Sequence, residues 1–226
     1  MVDGWLGDTL AGRDAAMYAW RRAHVDLLNQ TARAAWRHAG RLDHVEVEAQ
    51  GGRRYAAGDR IVTLAPSRRG LVTSERGTVL GVEPDTGRLT ARMDDGRVHR
   101  FTRDELDGDR LDHGYATTIH RAQGATVDIA HRLADGGGRE LAYVANSRAR
   151  HHTTIHAVAE DLDHAREDLT WDWSQQRQPT WALDLTAPPR DLDRAAERTI
   201  RQITQGIETP AHERTRPDSE IEGLGL

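Results

Sequence analysis

The chain predicts an α/β protein in which a parallel-sheet unit is interrupted by a small antiparallel barrel of the SH3-like kind and followed by an acidic tail. Three observations carry this expectation. Apolar residues with helical or buried-strand spacing occur within 10–50 and 112–160, and short alternating runs separated by "PDTG" and "DDG" turns fill 53–103. Beyond residue 160 the composition becomes acidic and proline-punctuated. The boundaries expected from these changes are 1–52 and 110–160 for the two parts of the α/β unit, 53–109 for the insert and 161–226 for the tail.

Taken in order, "AAMYAW" at 15–20 reads as a short buried strand. From His24, the spacing of Val25, Leu28, Ala32, Ala35 and Ala39 predicts a helix ending near Gly40. "RIVTLA", "RGTVLGV", "RLTARMD" and "RVHRF" read as strands, and Asp95-Gly96 favours a tight hairpin. The acidic "RDELDGDRLD" reads as a solvated linker, because Asp104, Glu105, Asp107, Asp109 and Asp112 lack the spacing of a Ca²⁺ loop. "YATTIH" then predicts a strand, "GATVDIAHRLA" a helix beginning near Gly124, and "ELAYVANSRAR" and "TTIHAVA" a strand, a loop and a buried strand. In the tail, "APPRDLDRAAERTIRQITQ" predicts one exposed helix before a disordered end.

Composition narrows the function classes. A chain of 226 residues can bury a sizeable core. No run approaches the roughly 18 apolar residues of a membrane span, and "MVDGWLGDTL" lacks the features of a secretory signal, so the chain reads as soluble and cytoplasmic. Zero cysteines exclude disulfides, thiolate catalysis and Cys-ligated zinc. Of the 12 histidines none falls in a metal-type pattern; His151, His152 and His156 read as solvent-facing positions of a strand, and no metal site is expected. From residue 157 onward 15 acidic and 8 arginine side chains give a net of −7 against −5 for the whole chain, which leaves the first 156 residues at about +2. Within them, Arg13, Arg21, Arg22, Arg33, Arg37 and Arg41 face only Asp14 and Asp26 in the segment 13–41, a pattern that suits either a phosphate backbone or a solvent face. All 31 basic residues are arginine. A phosphate-binding P-loop needs the lysine of G-x-x-x-x-G-K-[ST], so the chain holds no complete P-loop site. A separate hydrolase has no nucleophile-elbow or paired-carboxylate signature to rest on.

The chemistry concentrates in "HGYATTIHRAQGATVD", residues 113–128, and "LAYVANSRARHHTTIHAVA", 141–159. A strand ending in "TTIHRAQG" delivers hydroxyls and an imidazole to the carboxyl edge of a sheet, where open α/β sheets bind ligands. Gly124 permits close approach of the backbone, and the helix expected after it points N–H groups at an anion. Arg148, expected directly after a buried strand, suits a guanidinium held rigidly against a phosphate from another domain. Singly, a Thr-rich strand end is an ordinary turn and an Arg after a strand an ordinary surface ion pair.

In this order, and with an insert between the halves, "GYATTIHRAQGATVD" followed by "YVANSRAR" resembles motifs V and VI of superfamily 1 DNA helicases. The likeness is to the RecD-like branch and, within it, to the C-terminal motor half of conjugative relaxase-helicases of the TraA and MobF type. It runs from about residue 13 to 159 and includes "AWRRAHVDLLNQTARAAW", similar to the stretch around motif IV, and "GDRIVTLAPSRRGLVTSERGTVLGVE" at the start of the insert. The resemblance implies a second RecA-like helicase domain whose inserted SH3-like barrel helps to steer single-stranded DNA. By position it assigns Thr118, with Thr117 beside it, to the DNA backbone, and His120 to the place between DNA and nucleotide. Gln123, Gly124 and Thr126 match the nucleotide side, Arg148 matches the arginine finger facing the γ-phosphate, and Arg150 and the motif IV candidate Arg33 are further ATP-side residues. Asn146 departs from the family, which has an apolar residue there. Nothing in the sequence matches the Walker A lysine, the Walker B acid or the relaxase tyrosine. The resemblance therefore implies ATP and Mg²⁺ only when an N-terminal RecA-like domain, in cis or in trans, completes the cleft, with this chain inactive alone and single-stranded DNA, not a membrane, as its partner.

The alternative is a non-catalytic nucleic-acid- or partner-binding module in which the insert does the recognition. Its only aromatics, Tyr55 and Phe101, suit a core as well as base stacking. Trp171, Trp173 and Trp181 of "WDWSQQRQPTW" suit packing of the tail onto the motor domain, or base stacking and recruitment of a partner.

Overall fold

The structure, a computed structural model, describes residues 1–66, 70–108, 110–122 and 126–175. In chain order, α1 (Val2–Leu10) leads into β1 (Ala15–Ala19) and α2 (Arg22–His38). The hairpin β2 (Glu46–Glu48) and β3 (Arg54–Ala56) follows, then β4 (Arg60–Thr63), β5 (Arg76–Glu83), β6 (Arg88–Met93) and β7 (Val98–Phe101). The short α3 (Arg103–Asp107) and β8 (Leu111–His113) precede β9 (Ala116–Thr118), β10 (Val127–Leu133), α4 (Gly138–Asn146), β11 (Ala149–His156) and α5 (Leu162–Ser174).

Two sheets organise these elements. A parallel sheet has the order β11-β10-β1-β9, and an antiparallel sheet the order β7-β6-β5-β4-β8. In the parallel sheet every residue of β1 is buried. One face packs Met17, Ile129 and Tyr115 against Trp5 of α1 and Val25, Leu28 and Ala32 of α2. The other packs Tyr18, Ile119, Val127 and Ala130 against Ala145 of α4. The antiparallel unit gathers Tyr55, Ile61, Val79, Leu89, Ala91, Met93 and Phe101 around one core. Its alternation is regular: Leu89, Ala91 and Met93 point inward from β6, and His99 and Phe101 from β7. Asp95-Gly96 does turn the β6–β7 hairpin, with Gly96 at φ +88° and its N–H donating to the Met93 carbonyl at 2.9 Å. Tyr55 and Phe101 are both core residues, leaving this unit without an exposed aromatic among its described residues.

Between the sheets the structure is continuous. The antiparallel unit reaches beyond 53–109 at both ends, since β8 pairs with β4 and Val47 of β2 joins its core. One residue later Gly114 carries the chain past β4, where a Cβ would lie 2.6 Å from the Ile61 carbonyl oxygen. Any side chain would collide with backbone there.

Three sequence expectations are corrected. "GATVDIAHRLA", expected as a helix, forms β10, a central strand flanked by β1 and β11. With both faces covered, β10 shows no alternation, and Val127, Ile129, Ala130 and Leu133 fit a helical period as well as a buried strand. "ELAYVAN", expected as a strand, is the body of α4; it buries Ala142 and Ala145, three residues apart, and leaves Tyr143 76% exposed. "TTIHAVA", expected as a buried strand, lies in and just beyond β11, an edge strand with no fully buried residue. His151 and His152 face solvent, while His156 turns toward His131, with Nε2 and Nδ1 3.1 Å apart.

The acidic stretch after β7 is more ordered than a linker: Thr102 and Glu105 form a capping box on α3. The tail begins with α5, capped by Asp161, whose side chain accepts the His164 N–H at 2.8 Å. Trp181 and the helix expected at 187–205 lie outside the described residues. Among the described residues no helix is long and apolar enough to cross a membrane.

Candidate functional site

At the edge of the parallel sheet β9 has, among the described residues, only one strand neighbour, β1. Its other edge is occupied by a side chain: the buried Asn29 of α2 donates to the Ala116 carbonyl at 3.2 Å and accepts the Ala116 N–H at 2.8 Å. The carboxamide stands in for a missing strand and satisfies backbone groups that burial would otherwise leave unpaired. Thr117 is buried, Thr118 half-buried, and His120 exposed just beyond. The Thr118 hydroxyl accepts the Arg121 N–H at 3.4 Å and its carbonyl the Ala122 N–H at 3.1 Å, which turns the chain. Thr117, Thr118 and Arg121 line a small cleft with Arg22, Asp26, Asn29 and His113. The last four also line a groove of about 680 Å³ between α2 and the β2–β3 hairpin, whose wall is studded by Arg33, Arg37, Arg53 and Arg54. Burial holds the imidazole of His113 below the ordinary histidine range, so at neutral pH the arginines supply the positive charge of the wall.

From Thr118 the chain must return along the sheet. Thr118 is level with Ala19 at the carboxyl end of β1, whereas β10 starts before the Ala15–Ile129 pair at its amino end. Residues 119–126 make this return, with Ile119 and Ala122 buried on the α4 face. At its end the Val127 N–H donates to the carbonyl of Arg148 at 3.0 Å. Arg148 therefore follows a helix, α4, and not the buried strand expected; the same interchange removes the helix N-terminus expected after Gly124. Its Nε donates to the Val144 carbonyl at 3.0 Å and its Nη2 contacts the Ser147 hydroxyl at 3.2 Å. Among the described residues it meets no carboxylate at ion-pair distance. Arg150, two residues on, is paired with Asp128 at 3.0 Å, an ion pair that holds the Asp128 carboxyl below its usual range. Two residues before Arg148 the Oδ1 of Asn146 is buried without a hydrogen-bond partner among the described residues, as is the Tyr18 hydroxyl, which burial pushes up while the fields of Arg76 and Arg148 oppose the rise. Thr126 is exposed at the start of β10; Gln123 and Gly124 lie outside the described residues.

The structure places Arg33 elsewhere. It lies at the joint between α2 and the antiparallel unit, where Nε donates to Asp59 at 3.0 Å and Nη2 to Asp59 and Glu46 at 2.9 and 2.7 Å. Burial disfavours its charge, but Asp59 and Glu46 outweigh burial and hold the guanidinium protonated. Asp59 is itself fully buried and also accepts the Ala56 N–H at 2.7 Å and the Tyr115 hydroxyl at 2.5 Å. Thr117, Thr118 and Arg121 thus share one cleft, Thr126 and Arg148 adjoin the other end of the sheet, and Arg33 is engaged by carboxylates of its own chain.

Three organising residues carry no local sequence signal. Besides Asn29 and Asp59, Asp135 accepts the Trp20 and Arg21 N–H groups, each at 2.9 Å, and contacts His24 Nδ1 at 2.8 Å. It anchors the start of α2 from more than 100 residues away.

No protein-family model matches the chain. The probable conjugal transfer protein TraA of Sinorhizobium fredii is 37% identical over 157 residues, which cover 66% of this chain and 14% of that protein. The protein Rv2311 of Mycobacterium tuberculosis is 33% identical over 119 residues, 50% of this chain and 68% of Rv2311. Among solved structures, the Pif1 helicase from Bacteroides in complex with ADP-AlF3 and single-stranded DNA matches with a TM-score of 0.47 at 18% identity, over 83% of this chain and 45% of that one. The chain thus spans a small part of the length of TraA and most of the length of Rv2311. It belongs to the family that includes Rv2311 and is homologous to one stretch of the TraA conjugal transfer proteins, in keeping with the superfamily 1 motifs of its sequence.

Proposed function

We propose that this chain is the second RecA-like motor unit of a RecD-like, conjugative-relaxase-type DNA helicase, and that it acts on single-stranded DNA and ATP together with a P-loop-bearing domain. The observation that carries this reading is that the motif with Thr118 in its cleft at one end of the parallel sheet reaches, at Val127 by the other end, the carbonyl of Arg148, which accepts the Val127 N–H. In this reading Thr117 and Thr118 contact the DNA backbone, His120 lies between the two ligands, and the arginine-lined groove continues the DNA path. The antiparallel unit serves as the SH3-like insert that steers the strand. Gln123, Gly124 and Thr126 lie along the nucleotide and Arg148 faces the γ-phosphate, with Arg150 beside it. A half-buried guanidinium held by its own backbone and not neutralised by a described carboxylate fits a polyphosphate that arrives from outside. ATP supplies the free energy of translocation when bound; this chain contributes cationic and positioning groups, and the P-loop domain contributes the lysine and the Mg²⁺ ligands.

The test combines this chain with the P-loop-bearing part of a TraA protein and measures DNA-stimulated ATPase activity. The expected result is turnover that falls by about 10³-fold or more in Arg148→Ala, while oligothymidylate binding, read by fluorescence anisotropy, stays unchanged. Turnover insensitive to Arg148→Ala overturns the reading.

A further inference from the structure

The start of α4 holds a group of buried donors that the motor reading does not use. Arg132, near the end of β10, is 0% exposed, and its Nε, Nη1 and Nη2 all lack hydrogen-bond partners among the described residues. Its guanidinium lies over the ring of Trp173 of α5, 5.7 Å from the centroid, and the Trp173 indole N–H is likewise buried and unpartnered. Four donor nitrogens, three of them cationic, therefore lie without an acceptor among the described residues. Burying such a set is strongly unfavourable unless an acceptor, above all an anion, joins it.

The surroundings are built for an anion. Gly136, Gly137 and Gly138 adopt φ of +100°, +107° and +76°, and the last of them begins the nine-residue α4. The Gly138 N–H is taken by a carboxylate of the chain itself, Asp172 Oδ1 of α5, at 3.1 Å. Asp172 is also the larger source of negative potential at Arg132, ahead of Asp135, whose carboxylate is engaged by Trp20, Arg21 and His24. The cover is lightly attached: no residue of α5 is buried, and its end is held by Asp172, by the Arg139 N–H donating to the Gln175 carbonyl, and by Arg139 Nε donating to the Trp173 carbonyl. A helix with so little buried surface opens at small free-energy cost.

We infer that Arg132 and the amino end of α4 form a phosphate-binding site, that Asp172 occupies it as an internal mimic, and that α5 swings away to admit the ligand. Asp172 offers one carboxylate oxygen to Gly138 and none at hydrogen-bond distance to Arg132; a tetrahedral phosphate has oxygens enough for Gly138, the guanidinium and the indole N–H together. The site stands on residues outside motifs V and VI, so it does not depend on the motor reading.

The experiment uses the full chain and two probes at constant ionic strength: inorganic phosphate, read by thermal shift against chloride, and a fluorescent oligothymidylate, read by anisotropy. Asp172→Ala is expected to tighten binding of at least one probe by tenfold or more, and Asp172→Asn, which keeps the shape, to tighten it less. Adding Arg132→Met to Asp172→Ala should abolish the gain, and Arg132→Lys should keep part of it with an unchanged circular dichroism spectrum. A gain for inorganic phosphate identifies a free anion as the source, and a gain for oligothymidylate alone identifies a phosphodiester. No gain in Asp172→Ala, or a gain that survives Arg132→Met, overturns the inference.

Discussion

In the antiparallel unit Arg60, Arg97 and Arg103 meet Asp94, Asp95 and Asp107 at 2.7, 2.5 and 2.7 Å, and Arg33 closes onto its buried Asp59. Around the parallel sheet Arg148 and Arg132 meet no carboxylate at that distance among the described residues, although the same chain supplies 36 acidic side chains. The difference lies in where the acids are placed. A guanidinium with an internal carboxylate braces the fold; one held by backbone or stacked on an indole keeps its charge available for a ligand. Arg148 and Arg150 show the contrast at two residues' separation, since only the second has its aspartate.

The comparison can be broken by substitution. Asp59→Ala removes the acceptor of Arg33, Tyr115 and the Ala56 N–H at once, and is expected to cost about 3–5 kcal/mol in urea denaturation, the range for breaking a buried ion pair. Arg148→Ala should leave stability within about 0.5 kcal/mol; a loss as large as that of Asp59→Ala would make Arg148 a brace as well. Next in size is Asn29→Ala, which strips two hydrogen bonds from the edge of β9 and should cost about 1–3 kcal/mol. It should also weaken oligothymidylate binding through Thr118, and an unchanged affinity would detach the groove from that strand.

The smallest expected effect is one of pH. Burial, with the N-terminal charge and His131 adding to it, depresses His156 to about 4, and His131 is lowered as well despite Asp8 at 2.8 Å. A histidine depressed in the folded state binds its proton more readily when unfolded. Stability is therefore complete above the ordinary value of 6.5 and declines as pH falls from there toward 4. His156→Gln should flatten that decline in thermal melts between pH 7 and 4. An unaltered slope would assign the acid sensitivity to other groups.

The antiparallel strands were legible because one face of each is wet: Leu89, Ala91 and Met93 alternate with exposed or half-buried neighbours, and Asp95-Gly96 marks the turn. The interior of the parallel sheet was not. β10 is apolar on both faces and α4 is a short apolar run, so the two exchange places in a reading that depends on period. The threonines and Arg148 were singled out as motifs, independently of that exchange, but the side chains that hold these segments in place were not. Asn29, Asp59 and Asp135 act on residues 87, 56 and 115 positions away, and a single buried polar side chain leaves no periodic trace. Arg132 was hidden for the same reason, inside a run read as a helix.

The return of the chain from β9 to β10, past β1 which lies between them, bears on how this molecule evolves. Parallel strands are ordinarily joined by a dozen or more residues, which leaves the length of the connection room to drift. Here eight residues separate Thr118 from Val127 at opposite ends of β1, with Ile119 and Ala122 buried on the α4 face. A one-residue deletion would pull Thr118 or Val127 out of register, and an insertion would push a loop into the α4 face. Relatives that keep the same task should vary freely in the hairpin turns of the antiparallel unit and hold this interval at constant length.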